Sequence, residues 1–155
     1  MVRILLVEPG YQNKYPPLGL MKISSYHKMK GDFVRFAKGE EKSILQEKWD
    51  RVYITTLFTF YWNITLRAIL FYSPLVKDPK DLWIGGVLAT LMEKELSKEV
   101  DATIVSGLMN RPGMLGYSDN IIVDGLIPDY DILKETTYKY MLIGLPPEEI
   151  SGRVG

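Results

Sequence analysis

The residues of this chain that could do chemistry lie in short stretches that directly follow apolar runs. They offer an aromatic edge and backbone amides at residues 11–19, hydroxyls at Thr55, Thr56 and Thr59, and close backbone approach at Gly85 and Gly86. These groups suit a large, flat ligand with an amide rim, and they suit a flavin or a nucleotide equally well. Glu8 is the one carboxylate at the end of such a run, and a single acid without a partner does not predict catalysis.

The common catalytic and phosphate-binding motifs are missing from the sequence. It contains no phosphate-binding GxxxxGK[ST] loop, no GxGxxG, no nucleophile elbow and no defensible pair of carboxylates. The chain has no cysteine, which excludes disulfides, thiolate zinc sites and iron–sulfur clusters within it and favours a cytoplasmic protein. With a single histidine, His27, a transition-metal site of the usual kind is not expected.

The charge balance argues against two classes of partner. The chain carries 19 basic and 19 acidic side chains, and neither sign gathers into a long block. We therefore expect no nucleic-acid and no membrane partner. Residues 52–72 are apolar over nearly the length of a bilayer span, but Asn63 and Arg67 would be costly there. This stretch is interpreted as a buried strand, a loop and an amphipathic helix.

The elements that position these groups alternate between strands and helices. Apolar and β-branched runs predict strands at residues 3–7, 32–36, 51–55, 81–84 and 101–105. Helical periodicity predicts helices at residues 18–30, 61–72 and 88–98, with a short helix at 40–48 that turns Ile44 and Leu45 inward. The pattern indicates an α/β fold with a doubly wound, five-stranded parallel sheet, flavodoxin-like, of order 2-1-3-4-5. In such sheets the ligand crevice lies outside the carboxyl ends of the strands.

The alternating pattern stops near Met109, so we expect a flavodoxin-like domain at residues 1–108 and an irregular extension at residues 109–155 that packs on it. Ile121, Ile122 and Val123 suit one more short strand. Pro128, Asp129 and Tyr130 predict a loop or a short helix. Residues 146–155 are a polar, glycine-containing tail that we expect to be flexible.

Several stretches together carry a family resemblance. They are Tyr15-Pro16-Pro17-Leu18-Gly19-Leu20, Tyr26-His27-Lys28, Gly31-Asp32, Thr55-Thr56-Leu57-Phe58-Thr59, Ile84-Gly85-Gly86-Val87-Leu88-Ala89-Thr90 and Pro128-Asp129-Tyr130. In this order they resemble the N-terminal cobalamin-binding-like domain of radical S-adenosylmethionine proteins, over roughly residues 2–140. In that family a TIM-barrel-like domain follows, opened by a CxxxCxxC motif that binds a four-iron cluster. This sequence shows neither, so the resemblance implies either an excised or truncated front domain or a natural standalone version, and we expect no radical chemistry from this chain alone.

The resemblance implies a corrin lying across the loops after strands one, three, four and five. The residues that it assigns to cofactor binding are Glu8, Pro9, Tyr11, Tyr15, Pro17, Gly19, Thr55, Thr56, Thr59, Gly85, Gly86, Val87, Ala89, Ser106 and Gly107. The position of the DxHxxG pattern of methionine-synthase-type cobalamin domains reads Glu8-Pro9-Gly10-Tyr11-Gln12-Asn13 here. Any cobalamin would therefore lack a histidine lower ligand from that loop, and His27 is interpreted as a structural or surface residue.

Three functional hypotheses remain open from the sequence. The first is a ligand-binding module of the cobalamin-binding type, catalytically inactive alone. The second is a scaffold on the same fold, in which the crevice is vestigial and aromatic residues of the helix at residues 61–72 mediate a homodimer or docking to a separate radical S-adenosylmethionine barrel. The third is a small flavin-binding protein. In the second hypothesis Gly85 and Gly86 only allow close helix packing, and the threonines reflect β propensity and capping.

Overall fold

Five parallel strands form one sheet in a computed structural model that describes residues 1–141. They are β1 (Arg3–Glu8), β2 (Phe33–Lys38), β3 (Arg51–Thr56), β4 (Leu82–Gly86) and β5 (Thr103–Ile104). The strand order is β2-β1-β3-β4-β5, which confirms the predicted α/β fold and its flavodoxin-like order. The chain runs outward from β1 to one edge, returns to β3 and continues to the other edge, so the order reverses between β1 and β3.

Helices connect the strands. They are α1 (Leu18–Met29), α2 (Trp62–Tyr72), α3 (Val87–Leu91) and α4 (Glu93–Glu99). Short 3₁₀ helices lie at Lys42–Gln46, Thr59–Tyr61, Ser73–Leu75, Pro79–Asp81, Val123–Gly125 and Tyr130–Glu135. Pro17 precedes α1, where a missing backbone N–H costs nothing, and Gly31 follows it at φ 85°.

The sheet buries both faces, as the uninterrupted aliphatic residues of β1 predict. Leu5 and Val7 point to the face covered by α2, α3 and α4, where they pack with Ile69 and Leu96 among others. Ile4 and Leu6 alternate to the opposite face and pack under α1. Strands β1, β2, β3 and β4 therefore lie between two apolar layers.

The apolar layer on the α1 side of the sheet is completed by the extension that follows β5, and not by another helix. Leu115, Val123 and Ile132 of this extension are buried in the same cluster as Ile4 and Leu6. Its polar anchors include Asp129, whose carboxylate accepts hydrogen bonds from the Ser24 hydroxyl at 2.7 Å and pairs with Lys28 at 2.6 Å. The buried apolar side chains and these polar contacts together explain how a segment without regular secondary structure packs on the sheet.

Further along the extension, Glu135 binds to the edge strand β2. Its carboxylate accepts from the backbone N–H of Phe36 at 2.6 Å and pairs with Arg35 at 2.9 Å. Because β2 is at the edge of the sheet, this N–H has no neighbouring strand, and the glutamate satisfies it.

Three local predictions are wrong. The helix predicted at residues 88–98 is divided into α3 and α4 at Met92, whose ψ is 34°, although the Met92 N–H still donates to the Leu88 carbonyl at 2.8 Å. Leu45 is exposed, because the 3₁₀ helix Lys42–Gln46 turns only Ile44 inward. Residues 121–123 form no strand and lead into the 3₁₀ helix Val123–Gly125. The predicted tail at residues 146–155 lies outside the described residues.

The apolar stretch at residues 52–72 divides as expected into β3, a loop and α2. Within residues 1–141, no helix is long and apolar enough to cross a bilayer.

Candidate functional site

An apolar cavity of about 250 Å³ lies between α1, the sheet and the extension. We call it the inner cavity. Tyr53 and Trp83 form its floor on the sheet, and Ile23 of α1 and Leu115 of the extension form two of its walls. Gly85 and Gly86 at the end of β4 and Gly107 after β5 lie on its rim. The inner cavity therefore reaches the carboxyl ends of the strands.

A second, more open cavity of about 500 Å³ lies beside it, over the ends of β1 and β3. We call it the outer cavity. The β1–α1 loop lines it with Tyr11 and Tyr15 among others, and the β3–α2 loop adds Phe58. Leu18, Gly19 and Thr55 line both cavities, so the two form one crevice along the carboxyl edge of the sheet.

Most residues predicted to bind a ligand line this crevice. Those on the outer cavity are Glu8, Tyr11, Tyr15, Pro17 and Thr56, those on the inner cavity are Gly85, Gly86 and Gly107, and Gly19 and Thr55 line both. The remaining five lie nearby but line neither cavity: Pro9, Thr59, Val87, Ala89 and Ser106.

Glu8 is buried at the outer cavity and fully occupied by partners from this chain. One carboxylate oxygen accepts from the Lys38 ammonium at 3.0 Å and from the Tyr140 hydroxyl, and the other accepts from the Asn13 amide at 3.2 Å. Burial raises the pKa of the Tyr140 phenol, and the neighbouring Glu8 charge raises it further. A neutral phenol is the form that donates, so this arrangement holds Glu8 as a paired carboxylate and not as a free base.

Lys38 lies within an aromatic cage beside this acid. Its ammonium is 4.7 Å from the ring centre of Tyr11 and 4.5 Å from that of Tyr138. Burial lowers the pKa of Lys38, and the Glu8 carboxylate opposes that shift. Tyr138 and Tyr140 belong to the extension, so the extension closes the end of the sheet where β1 meets β2.

Thr56 and Gly86 serve the fold at this edge. The Thr56 hydroxyl donates to the Gly85 carbonyl at 2.8 Å and accepts from the Ala89 N–H at 3.0 Å, which fixes the first turn of α3 to β3. Gly86 has φ 105°, and a Cβ there would lie 2.3 Å from the Thr56 carbonyl oxygen. The close backbone approach at Gly86 is therefore made by β3 and not by a ligand.

Gly85 differs from its neighbour. A Cβ at Gly85 would meet Val105 at ordinary contact distances, 3.7 Å from its carbonyl oxygen and 3.8 Å from its Cβ. Because Gly85 also lines the inner cavity, its missing side chain leaves room in that cavity.

Sequence reasoning missed the residues that the extension and α1 bring to the inner cavity. Lys22 and Asp124 form an ion pair at 3.2 Å, and both line the cavity together with Met109, Leu115 and Trp83. Lys22 lies one helical turn after Leu18, so helical periodicity could have placed it on the same face of α1. The contact with Asp124 could not be predicted in this way, because it joins residues 102 positions apart.

The single histidine lies near the C-terminal end of α1 and lines neither cavity. His27 is buried, its Nδ1 lies 2.8 Å from Asp32, and its Nε2 lies 2.9 Å from the Tyr53 hydroxyl. Burial lowers the pKa of His27, which favours the neutral ring. A carboxylate only accepts, so Nδ1 carries the proton and Nε2 accepts from Tyr53. Arg51 completes the network by donating to the Tyr53 oxygen at 3.0 Å. This geometry indicates a structural histidine.

Exposed apolar side chains lie in the crevice and on the segments that follow the strands. Phe58 and Phe60 stack with ring centres 5.3 Å apart, and Phe60 is 74% exposed. Others follow β1, β4 and β5 and are Tyr15, Leu18, Val87, Leu91 and Leu108. We call these seven residues the apolar rim. A concentration of exposed apolar groups around a cleft is typical of a surface that meets a ligand or another protein.

Among residues 1–141, no group of three acidic, histidine or cysteine side chains is placed to hold a metal ion. No protein-family model and no curated protein matches the chain. Function is therefore inferred from the geometry of the crevice.

Proposed function

We propose that this domain binds a flat, ring-shaped cofactor of the cobalamin class across the carboxyl edge of its sheet, without a histidine lower ligand. The observation that carries the proposal is the crevice itself, in which the inner and outer cavities join at Leu18, Gly19 and Thr55. It lies where the strand order reverses, the usual place for ligands in such sheets. The family resemblance of the same loops supports the same class of ligand.

The residues present fit a corrin laid on the rim, with a narrower part of the ligand entering the inner cavity. A cavity of about 250 Å³ is smaller than the usual site for a whole ligand of drug size, so the ring itself would occupy the outer cavity. No side chain caps the first turn of α1, so backbone N–H groups there remain to donate to amide carbonyls of a corrin rim. When bound, the corrin would supply the reactive cobalt centre, while this chain binds and orients the ring.

We propose further that the domain has no catalytic activity by itself. The carboxylates of the described residues that line the crevice are Glu8 and Asp124, and each is paired with a lysine. Neither is placed as a free general base. A reacting partner, such as a separate catalytic domain, would complete the site.

A titration with hydroxocobalamin, followed by visible absorption and equilibrium dialysis, tests the binding proposal. We expect saturable binding and a spectrum without a histidine ligand. Gly85→Val adds a side chain at the inner cavity, with its Cβ at ordinary contact distances, and should weaken binding, whereas Ser43→Val, exposed and outside both cavities, should not. No binding at high ligand concentration would refute the proposal.

One observation favours a second function, a scaffold that self-associates or docks to a separate barrel domain. The aromatic residues of α2 do not supply this surface, because Trp62 and Phe71 are half-buried and Tyr72 is buried. The apolar rim, in which Phe60 is 74% exposed, is instead the large apolar surface left in water. Sedimentation velocity of the free protein and of Phe60→Ser tests this. Self-association that the substitution abolishes, together with absence of cobalamin binding, would favour the scaffold. A bound yellow chromophore in the purified protein would instead favour a flavin.

A further inference from the structure

The inner cavity is largely apolar, and one ion pair lies at its wall. Of the described residues that line it, only Lys22 and Asp124 are charged, and they lie 3.2 Å apart. Lys22 projects from α1, and Asp124 belongs to the extension, where its backbone N–H donates to the Met109 carbonyl at 2.9 Å. The pair therefore bridges the two walls between which a ligand would enter.

The two charges differ in how well water could replace their partner. The Lys22 side chain is 21% exposed and Asp124 is 46% exposed. If the pair separates, water can replace the partner of Asp124 more readily than that of Lys22, because Asp124 is the more exposed of the two and the Lys22 side chain lies along the wall of the inner cavity. A less hydrated charge has more to gain from a new partner.

The exchange itself costs little. The pair has a single contact at 3.2 Å and is partly exposed, and such ion pairs contribute little net stability. Lys22 can therefore leave Asp124 for an incoming anion without a large loss in folding stability. A cationic ligand would have the opposite effect, because pairing with Asp124 would leave Lys22 without a counter-charge.

We propose that Lys22 selects ligands that carry an anionic group, a carboxylate or a phosphate, on an apolar body that fills the inner cavity. Asp124 holds Lys22 in place when the cavity is empty and competes with the ligand. This inference rests on the proposed ligand site and adds the charge of the group that enters it.

Four probes with the same bicyclic body test the selection by charge. They are 2-naphthoate, 2-naphthyl phosphate, the neutral 2-naphthamide and the cationic 2-naphthylmethylamine. Isothermal titration calorimetry on the whole chain should give tighter binding for the two anions than for the amide, by about 10- to 100-fold, as expected for a hydrogen bond to a charged group. Comparison of the two anions shows whether the site prefers a carboxylate or a phosphate. Equal affinity for all four, preference for the cation, or no binding of any probe overturns the inference.

Variants separate Lys22 from a general effect of charge. Lys22→Met should abolish the preference for anions over the amide, and Lys22→Arg should retain it. Asp124→Asn removes the competing carboxylate and should strengthen anion binding about 2- to 5-fold. Lys98→Met, an exposed lysine on α4 outside the cavity, changes the net charge equally and should have no effect. Unchanged selectivity in Lys22→Met would overturn the inference, and thermal melts confirm that each variant is folded.

The outcome is distinguishable from that of the proposed cofactor. If the naphthyl anions bind through Lys22 and hydroxocobalamin does not, the cavity and its charge preference stand while the cobalamin proposal fails. If hydroxocobalamin binds and the probes show no preference for anions, the cofactor proposal stands and the role of Lys22 falls.

Discussion

Replacing Gly86 by alanine should remove a large part of the stability of the domain. Gly86 ends β4 at φ 105°, a conformation that residues with a side chain rarely adopt. The added Cβ would lie 2.3 Å from the carbonyl oxygen and 2.9 Å from the nitrogen of Thr56. These are backbone atoms of the neighbouring strand, so no side-chain rotation can relieve the contact.

Two other glycines allow the cost of backbone strain at positive φ to be separated from the cost of the steric clash with Thr56. Gly107 also has a positive φ, 86°, but a Cβ there would meet nothing within 4 Å. Gly85 has no positive φ, and its Cβ would make only ordinary contacts with Val105. We expect Gly107→Ala to cost roughly 1–2 kcal/mol from strain alone and Gly85→Ala to change stability by less than about 1 kcal/mol. For Gly86→Ala, strain and overpacking together give roughly 2–6 kcal/mol, against about 5–15 kcal/mol for a typical domain.

Urea denaturation followed by far-ultraviolet circular dichroism measures the three free energies of unfolding on the same scale. The expected order of destabilisation is Gly86→Ala, then Gly107→Ala, then Gly85→Ala. If Gly86→Ala is no less stable than Gly107→Ala, the close approach of β3 is not the reason for this glycine. Loss of ligand binding in a Gly86 variant would accordingly report unfolding, which is why Gly85 is the position for testing the cavity.

Two further predictions concern buried polar groups. Burial lowers the pKa of His27 below its ordinary value of 6.5, so the folded state prefers the neutral ring. Its contribution to stability is therefore full above pH 6.5 and is lost as the pH falls from 6.5 through the folded pKa, by at most about 1.4 kcal/mol per pH unit. His27→Gln should flatten this part of the curve of unfolding free energy against pH, and an unchanged slope would contradict the assignment. Lys38→Met leaves the buried carboxylate of Glu8 without its counter-charge and should destabilise the domain by about 3–5 kcal/mol in urea titrations. The double variant with Glu8→Gln should recover part of the loss, and additive losses would contradict the pairing.

Much of the fold could be predicted because local patterns coincide with it. Residues 3–7 are aliphatic on both faces, which requires a strand covered on both sides, and β1 is buried in this way. Pro16, Pro17 and Gly31 mark the two ends of α1 through backbone chemistry that does not depend on distant residues. The division at Met92 was not predictable, because periodicity of the apolar residues continues across it.

The sequence by itself determined the order of the strands and the edge at which the crevice lies, since alternating strands and helices allow few topologies and the loops after parallel strands meet at one edge. Only the tertiary structure decided what each polar group at that edge does. Thr56 is used by α3, Glu8 by Lys38, and Lys22 meets Asp124 across 102 positions of chain. The first two join elements that are distant in the sequence, and the third depends on how an irregular extension packs against α1 and the sheet. Such packing follows shape and long-range contacts, which leave no periodic pattern in the sequence.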